Sequence, residues 1–177
     1  KATNLKSRSI GLGVMGEAEM LADYKLVWGS NEHFKKIDQI MEAISYNVIK
    51  SSSDLAIEKG IYPTFEGSKW SQGIMPHDHA PQAVNALVDK DLFDASYDWD
   101  VLREKVKKDG MRNGYLMAVA PTSSISILVG TTQAIEPVYK RKWFEENLSG
   151  LIPVVVPKLS PETWNYYTPA FEIDQLK

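Results

Sequence analysis

From about Asn31 to Lys59 the apolar residues Phe34, Ile37, Met41, Ile44 and Val48 recur at steps of three and four, and Ile40 widens the stripe. That period predicts one long amphipathic helix. Ser30 or Asn31 can cap its start, Gly60 supplies a stop, and Pro63 lies beyond. A shorter helix, Glu17–Leu26, precedes it and is broken at Trp28-Gly29-Ser30. A third runs from Asp98, its N-cap, to about Asp109, with Gly110 as terminator and Tyr97 and Leu102 spaced for a hydrophobic staple. Two apolar runs predict strands: Tyr115–Ala120, which stops at Pro121, and Leu151–Val156, read as buried between Pro153 and Pro157. Residues 1–10 are polar and suggest at most a strand, and Lys142–Gly150 is polar with aromatics. Ser160-Pro161-Glu162 is placed to open a last helix, Pro161 taking its first position. Trp164, Tyr166 and Tyr167 read as packing residues. Residues 60–96 carry the prolines and glycines of a loop region. Helices alternating with short apolar runs point to α/β.

Composition narrows the function classes. At 177 residues and 44% hydrophobic the chain can bury a real core. Net charge is −3, and the basic clusters Lys35-Lys36, Lys107-Lys108 and Lys140-Arg141-Lys142 are short and read as solvated faces, so no nucleic-acid footprint is expected. No apolar run reaches the roughly 18 residues of a membrane span, and no signal-peptide core opens the chain. There are no cysteines, which removes disulfides, thiolate metal sites and thiol chemistry from this chain. It opens on Lys1 and stops at Gln175-Leu176-Lys177 without a helix stop, and both ends read as cuts through something larger.

Three stretches carry candidate chemistry. In Pro121-Thr122-Ser123-Ser124-Ile125 an apolar run meets a proline and then small hydroxyl residues. If a helix starts there, its first N–H groups lack internal partners and its dipole favours an anion, which makes a phosphate seat. The simpler reading is a turn with an N-cap. Ile125, Ile127 and Val129 are β-branched, so the same residues also fit a strand. Gly11-Leu12-Gly13-Val14-Met15-Gly16 fits the dinucleotide-turn pattern, but the acid at the right distance, Asp38, falls inside the long helix. Close packing at a strand-to-helix turn suits these glycines better. His77-Asp78-His79 offers two imidazoles without a third ligand, and a surface loop is the default.

In order along the chain, several segments resemble the large (α) subunit of ribonucleotide reductase. Arg8-Ser9-Ile10-Gly11-Leu12-Gly13-Val14-Met15-Gly16 is similar to its R-x-I-G-x-G-x-x-G segment. Ser53-Asp54-Leu55-Ala56 with Glu58-Lys59-Gly60, Phe65-Glu66-Gly67-Ser68, Gly73-Ile74-Met75-Pro76 and Asp98-Trp99-Asp100-Val101-Leu102 follow. Arg112-Asn113, Pro121-Thr122-Ser123-Ser124-Ile125-Ser126 and Ile135-Glu136-Pro137 complete the match. The resemblance implies that residues 1–177 are part of a ten-stranded α/β barrel, beyond its finger loop. It further implies a helix start at Pro121–Ile125 and a substrate diphosphate held there by Thr122, Ser123, Ser124 and Ile125, with Pro121 setting the turn.

The family's chemistry also needs a radical-bearing cysteine and a reducing cysteine pair, which this chain lacks. What the resemblance implies is therefore a component of ribonucleoside-diphosphate reductase, inactive alone, with no catalytic residue, metal or cofactor of its own. Its partners would be a nucleotide substrate, the cysteine-bearing remainder of the α subunit and the small (β) radical-generating subunit, in the cytoplasm. The alternative is a non-catalytic remnant or isolated domain that binds phosphate or a partner chain. Tyr166-Tyr167 does not match the family's radical-transfer pair in context. An incomplete barrel leaves sheet edges unpaired, so self-association or binding of the missing half is expected.

Overall fold

The computed structural model describes residues 2–79, 95–148 and 150–173. Residues 80–94 of the expected loop region, and the expected cut end at 175–177, lie outside them. No helix among the described residues is long and apolar enough to cross a membrane. The chain divides into two compact units, one of Lys1–Leu12 with Phe34–Ala118 and one of Gly13–His33 with Val119–Lys177.

The first unit is built on the long helix. Helix α1 spans Ala2–Ser7, α2 Glu17–Tyr24 and α3 Asn31–Lys59. Ser30 Oγ accepts the His33 N–H at 3.2 Å at the start of α3, and the Gly60 N–H closes its end on the Ala56 carbonyl at 2.9 Å. The expected stripe at Phe34, Ile37, Met41, Ile44 and Val48 is only half-buried, and within the first unit full burial on α3 falls on Ile49, Ser52, Ser53 and Ala56. Helix α4, Trp99–Asp109, starts where Asp98 Oδ1 accepts the Val101 N–H at 2.9 Å. Gly110 ends it at φ 77, where a side chain would drive into Ile61; that is a left-handed conformation suited to glycine. Ile49, Tyr62, Phe65, Met75, Leu102, Val106, Met111 and Leu116 form the core.

Polar side chains fix the chain around that core. Arg112 Nη1 donates to the carbonyls of Lys59 and Gly60 at 2.6 and 3.0 Å, so it satisfies the C-terminal end of α3. Asn113 accepts from Ser52 Oγ at 2.9 Å and donates to the Arg8 carbonyl at 2.8 Å. The expected strand 115–120 survives as a short parallel pairing with residues 10–12. Leu12 N–H donates to the Leu116 carbonyl and Ala118 N–H to the Leu12 carbonyl, at 2.9 and 3.0 Å. Residues 2–7 are helical rather than extended, with no buried residue, because local propensity alone decides an exposed end.

In the second unit, helix α5 (Ser123–Val129) is followed by strands β1 (Lys142–Asn147) and β2 (Gly150–Val155). The strands pair antiparallel in the register Lys142↔Val155 through Asn147↔Gly150. Two expectations change here. Residues 142–147, given no element by their pattern, form a strand because β2 pairs with them. Residues 150–155 are a strand but an exposed one, with Leu151 at 64% and Val155 at 49% accessible. The expected last helix is instead a turn followed by a 3-10 segment, Trp164–Tyr166, held by reciprocal Ser160 and Thr163 bonds.

Ala18, Ala22, Val138, Val156 and Tyr167 form this unit's core. Tyr167 is fully buried and its hydroxyl donates to the Pro157 carbonyl at 2.6 Å. Burial raises its pKa to about 12, with the Glu19 and Asp23 charges adding to the rise. Arg141 departs from the solvated reading of its basic cluster: it lies over the Trp164 ring at 4.9 Å and donates to the Trp164 carbonyl.

Two predictions follow from these anchors. Asp78 pairs with both Arg103 nitrogens, at 2.6 and 3.1 Å, and accepts the Met75 N–H at 2.7 Å. The Arg103 bond chiefly, then the Met75 amide, hold its carboxyl far below the ordinary value of 3.8. A depressed folded-state pKa stabilises above the unfolded pKa and is lost as pH falls through the folded one. Asp78→Asn is therefore expected to cost about 1 kcal/mol at neutral pH, with the gap in melting temperature closing below roughly pH 4. Thermal unfolding across pH checks this, and a gap independent of acid would contradict it. Tyr167→Phe strands the Pro157 carbonyl and is expected to cost about 1 kcal/mol in urea denaturation; an unchanged midpoint would show the bond contributes nothing.

Candidate functional site: an open helix start at Pro121–Ile125

Proline ends the extended run 115–120, and Thr122 stands at the cap position with φ −116 and ψ 25. Its hydroxyl does not cap α5. Thr122 Oγ1 instead accepts the Ala134 N–H at 2.8 Å, leaving the hydroxyl proton available to a ligand. The first backbone amide of α5 to bond internally is that of Ser126, to the Thr122 carbonyl at 2.8 Å. The amides of Ser123, Ser124 and Ile125 have no acceptor among the described residues. Ser123, Ser124 and Ile125 are exposed, whereas Ser126 is buried and donates its hydroxyl to the Ser123 carbonyl at 3.0 Å.

The strand alternative for Ile125–Val129 fails for a local reason. Gly130 closes the helix in a left-handed conformation, its N–H meeting the Ser126 and Ile127 carbonyls, and Thr131 N–H also returns to Ser126. The β-branched residues pay only tenths of a kcal/mol each in a helix. Pro121, Thr122, Ser123, Ser124 and Ile125 are thus brought together in one turn, with three free donors at the positive end of a helix dipole.

The start of α2, in the same unit, is filled. Glu17 N–H donates to the Ala134 carbonyl at 3.4 Å and Glu19 N–H to Thr132 Oγ1 at 3.2 Å. Glu17 and Glu19 themselves add negative charge to that first turn. The glycine turn therefore seats protein rather than phosphate. Gly16 has φ 91, and a Cβ there would lie 2.6 Å from Thr131 Oγ1, so glycine is needed for the close approach. Asp38 lies inside α3, as its position in the long periodic stretch predicts.

The residues around this turn form a polar network absent from any spacing argument. Thr131 donates its hydroxyl to Glu19, and Lys158 Nζ lies 3.0 Å from Glu19 and 2.6 Å from Asp23. The Asp23 and Glu19 bonds raise the Lys158 pKa above its usual value. Glu19 and Thr131 are 112 positions apart, beyond the reach of local periodicity. Beside α5 a cavity of about 250 Å³ is lined by Ser126, Gln133, Glu136, Trp143 and Val156 among others.

The other candidates are placed plainly. His77 packs edge-on to Trp99 at 4.7 Å and Asp78 is taken by Arg103, while the His79 side chain lies outside the described residues. Among the described residues no three metal-ligating side chains converge. Arg112 and Asn113 serve the first unit's backbone rather than a ligand.

Residues 1–177 match the family model described as ribonucleotide reductase, barrel domain. The chain is similar to the ribonucleoside-diphosphate reductase subunit alpha of Helicobacter pylori (strain ATCC 700392 / 26695), 66% identical over 174 residues, covering 98% of this chain and 22% of that protein. It is similar to the same subunit of Treponema pallidum (strain Nichols), 41% identical over 175 residues, 99% of this chain and 19% of the relative. The large subunit of Trypanosoma brucei brucei is 35% identical over 164 residues, 90% and 20% respectively. The chain spans about a fifth of the length of these relatives. Matched from its first residue to its last, it belongs to the ribonucleotide reductase barrel-domain family.

Proposed function

We propose that this chain is a component of ribonucleoside-diphosphate reductase, an oxidoreductase, and contributes the turn that seats the substrate diphosphate. The observation that carries the reading is the start of α5: three adjacent amides without acceptors among the described residues, beside two exposed serine hydroxyls. Ser123, Ser124 and Ile125 donate their N–H groups to phosphate oxygens, and Ser123, Ser124 and Thr122 add hydroxyl donors. Pro121 fixes the entry to the turn. Positioning the diphosphate positions the ribose, and the turn's own contribution to catalysis is that orientation.

The two units belong, in this reading, to a ten-stranded α/β barrel. The radical and reducing steps fall to cysteines outside this chain, since it contains none; alone it binds and does not turn over. The radical generator sits in the small (β) subunit, no cofactor is held by this segment, and the assembly works in the cytoplasm. The partner expected to complete the barrel is the cysteine-bearing remainder of the α subunit. In support, α5 exposes Ile125, Ile127, Leu128 and Val129 at 56, 47, 86 and 63%, four apolar side chains on one short helix that a partner could cover. The absence of cysteine favours, for the chain by itself, a second reading: a non-catalytic remnant or isolated domain that binds phosphate or a partner chain only.

Ser124→Asp is expected to abolish pyrophosphate binding by like-charge repulsion while leaving the melting temperature near that of wild type, read by isothermal titration and thermal unfolding. A variant that retains wild-type affinity would remove the seat from Pro121–Ile125. Sedimentation velocity is expected to show concentration-dependent self-association of the chain, suppressed by Leu128→Glu; a monomer at every concentration would argue against the unpartnered face.

A further inference from the structure

We propose that Glu19 is a positioning residue of the seat, acting through Thr131 to hold the loop that sets the start of α5; its meaning for ligand binding rests on the reading above. The first turn of α2 grips residues 131–134 at three points. The Glu19 carboxylate accepts the Thr131 hydroxyl, the Glu19 N–H donates to Thr132 Oγ1 at 3.2 Å, and the Glu17 N–H donates to the Ala134 carbonyl at 3.4 Å. Ala134 then passes the constraint on, since its N–H is the one taken by Thr122 Oγ1 at 2.8 Å. The side chains of Glu19, Thr131 and Thr132 and the backbone of Glu17, Glu19 and Ala134 thus join α2 to Thr122, the residue that precedes the open amides.

Two features argue that this geometry is imposed. Ala134 is held at φ 28, a region an alanine enters only when its surroundings compel it. Gly16 is the residue whose missing Cβ admits Thr131 Oγ1. Lys158, 3.0 Å from Glu19 and 2.6 Å from Asp23, pairs with the Glu19 carboxylate and fixes its direction. Thr122 Oγ1 has one partner in this strap and so is oriented before any anion arrives. Gly16, the last glycine of the G-x-G-x-x-G stretch, thereby acquires a role: it is the place where the 131–134 loop comes close.

The test uses the whole 177-residue chain, amide hydrogen exchange by NMR, and titration with inorganic pyrophosphate. Thr131→Val is expected to speed exchange of the Ala134 amide and to weaken the pyrophosphate-induced shifts of Ser123, Ser124 and Ile125, each by about tenfold, the scale of one hydrogen bond to a charged group. Thr131→Ser keeps the hydroxyl and restores both. Glu19→Gln falls between. Wild-type exchange at Ala134 in Thr131→Val, or failure of Thr131→Ser to restore it, overturns the strap. If wild type shows no pyrophosphate shifts, the diphosphate reading fails, and the exchange rates still decide whether Glu19 and Thr131 hold the loop.

Discussion

The bond from the Ala134 N–H to Thr122 Oγ1 is the constraint on which the bare start of α5, the second unit's candidate site, depends. A threonine at a helix start ordinarily spends its hydroxyl on its own helix. Here the oxygen is claimed from 12 positions away, so the helix begins uncapped and its next three amides stay open. An uncapped start costs of order 1 kcal/mol, and packing elsewhere must offset it: Ser126 buried beneath the turn, the Gly130 closure, and the loop held by α2. The unit gives up local stability at one turn and recovers it through long-range contacts.

The first unit uses polar side chains in a complementary way. Ser52 and Asn113 join the middle of α3 to the chain entering the parallel pairing, and Arg112 satisfies the carbonyls at the helix end. Ser52 sits at 3% exposure with its hydroxyl fully engaged, so its burial is compensated by the bonds it makes. The apolar core supplies most of the driving force, while these bonds decide register. That division explains the part Arg112-Asn113, one of the segments that carry the family resemblance, plays in the first unit.

What the sequence made legible was what is local. The long helix from Asn31 to Lys59, the Asp98 cap and the Gly110 stop were all readable because periodicity and capping act within a few residues. The helix start at Pro121–Ile125 was ambiguous on residue types and clear only from the family resemblance. β1 was missed since Lys142–Asn147 becomes a strand through its partner, and β2 was misjudged as buried because an apolar run records what it can cover rather than what covers it. The Glu19–Thr131 contact, spanning 112 positions, left no trace in spacing.

The open amides of Ser123, Ser124 and Ile125 also bear on how such a site would change over evolutionary time. These three donors are main-chain atoms, common to every residue but proline. Neutral side chains on that turn can drift while the donor array persists, so long as the fold keeps the helix start bare. For those three amides the information is stored in a path of the backbone, which a few side chains such as Thr122 hold in place. Relatives that differ at these letters can therefore share the same seat, and chains that share the letters without the path cannot.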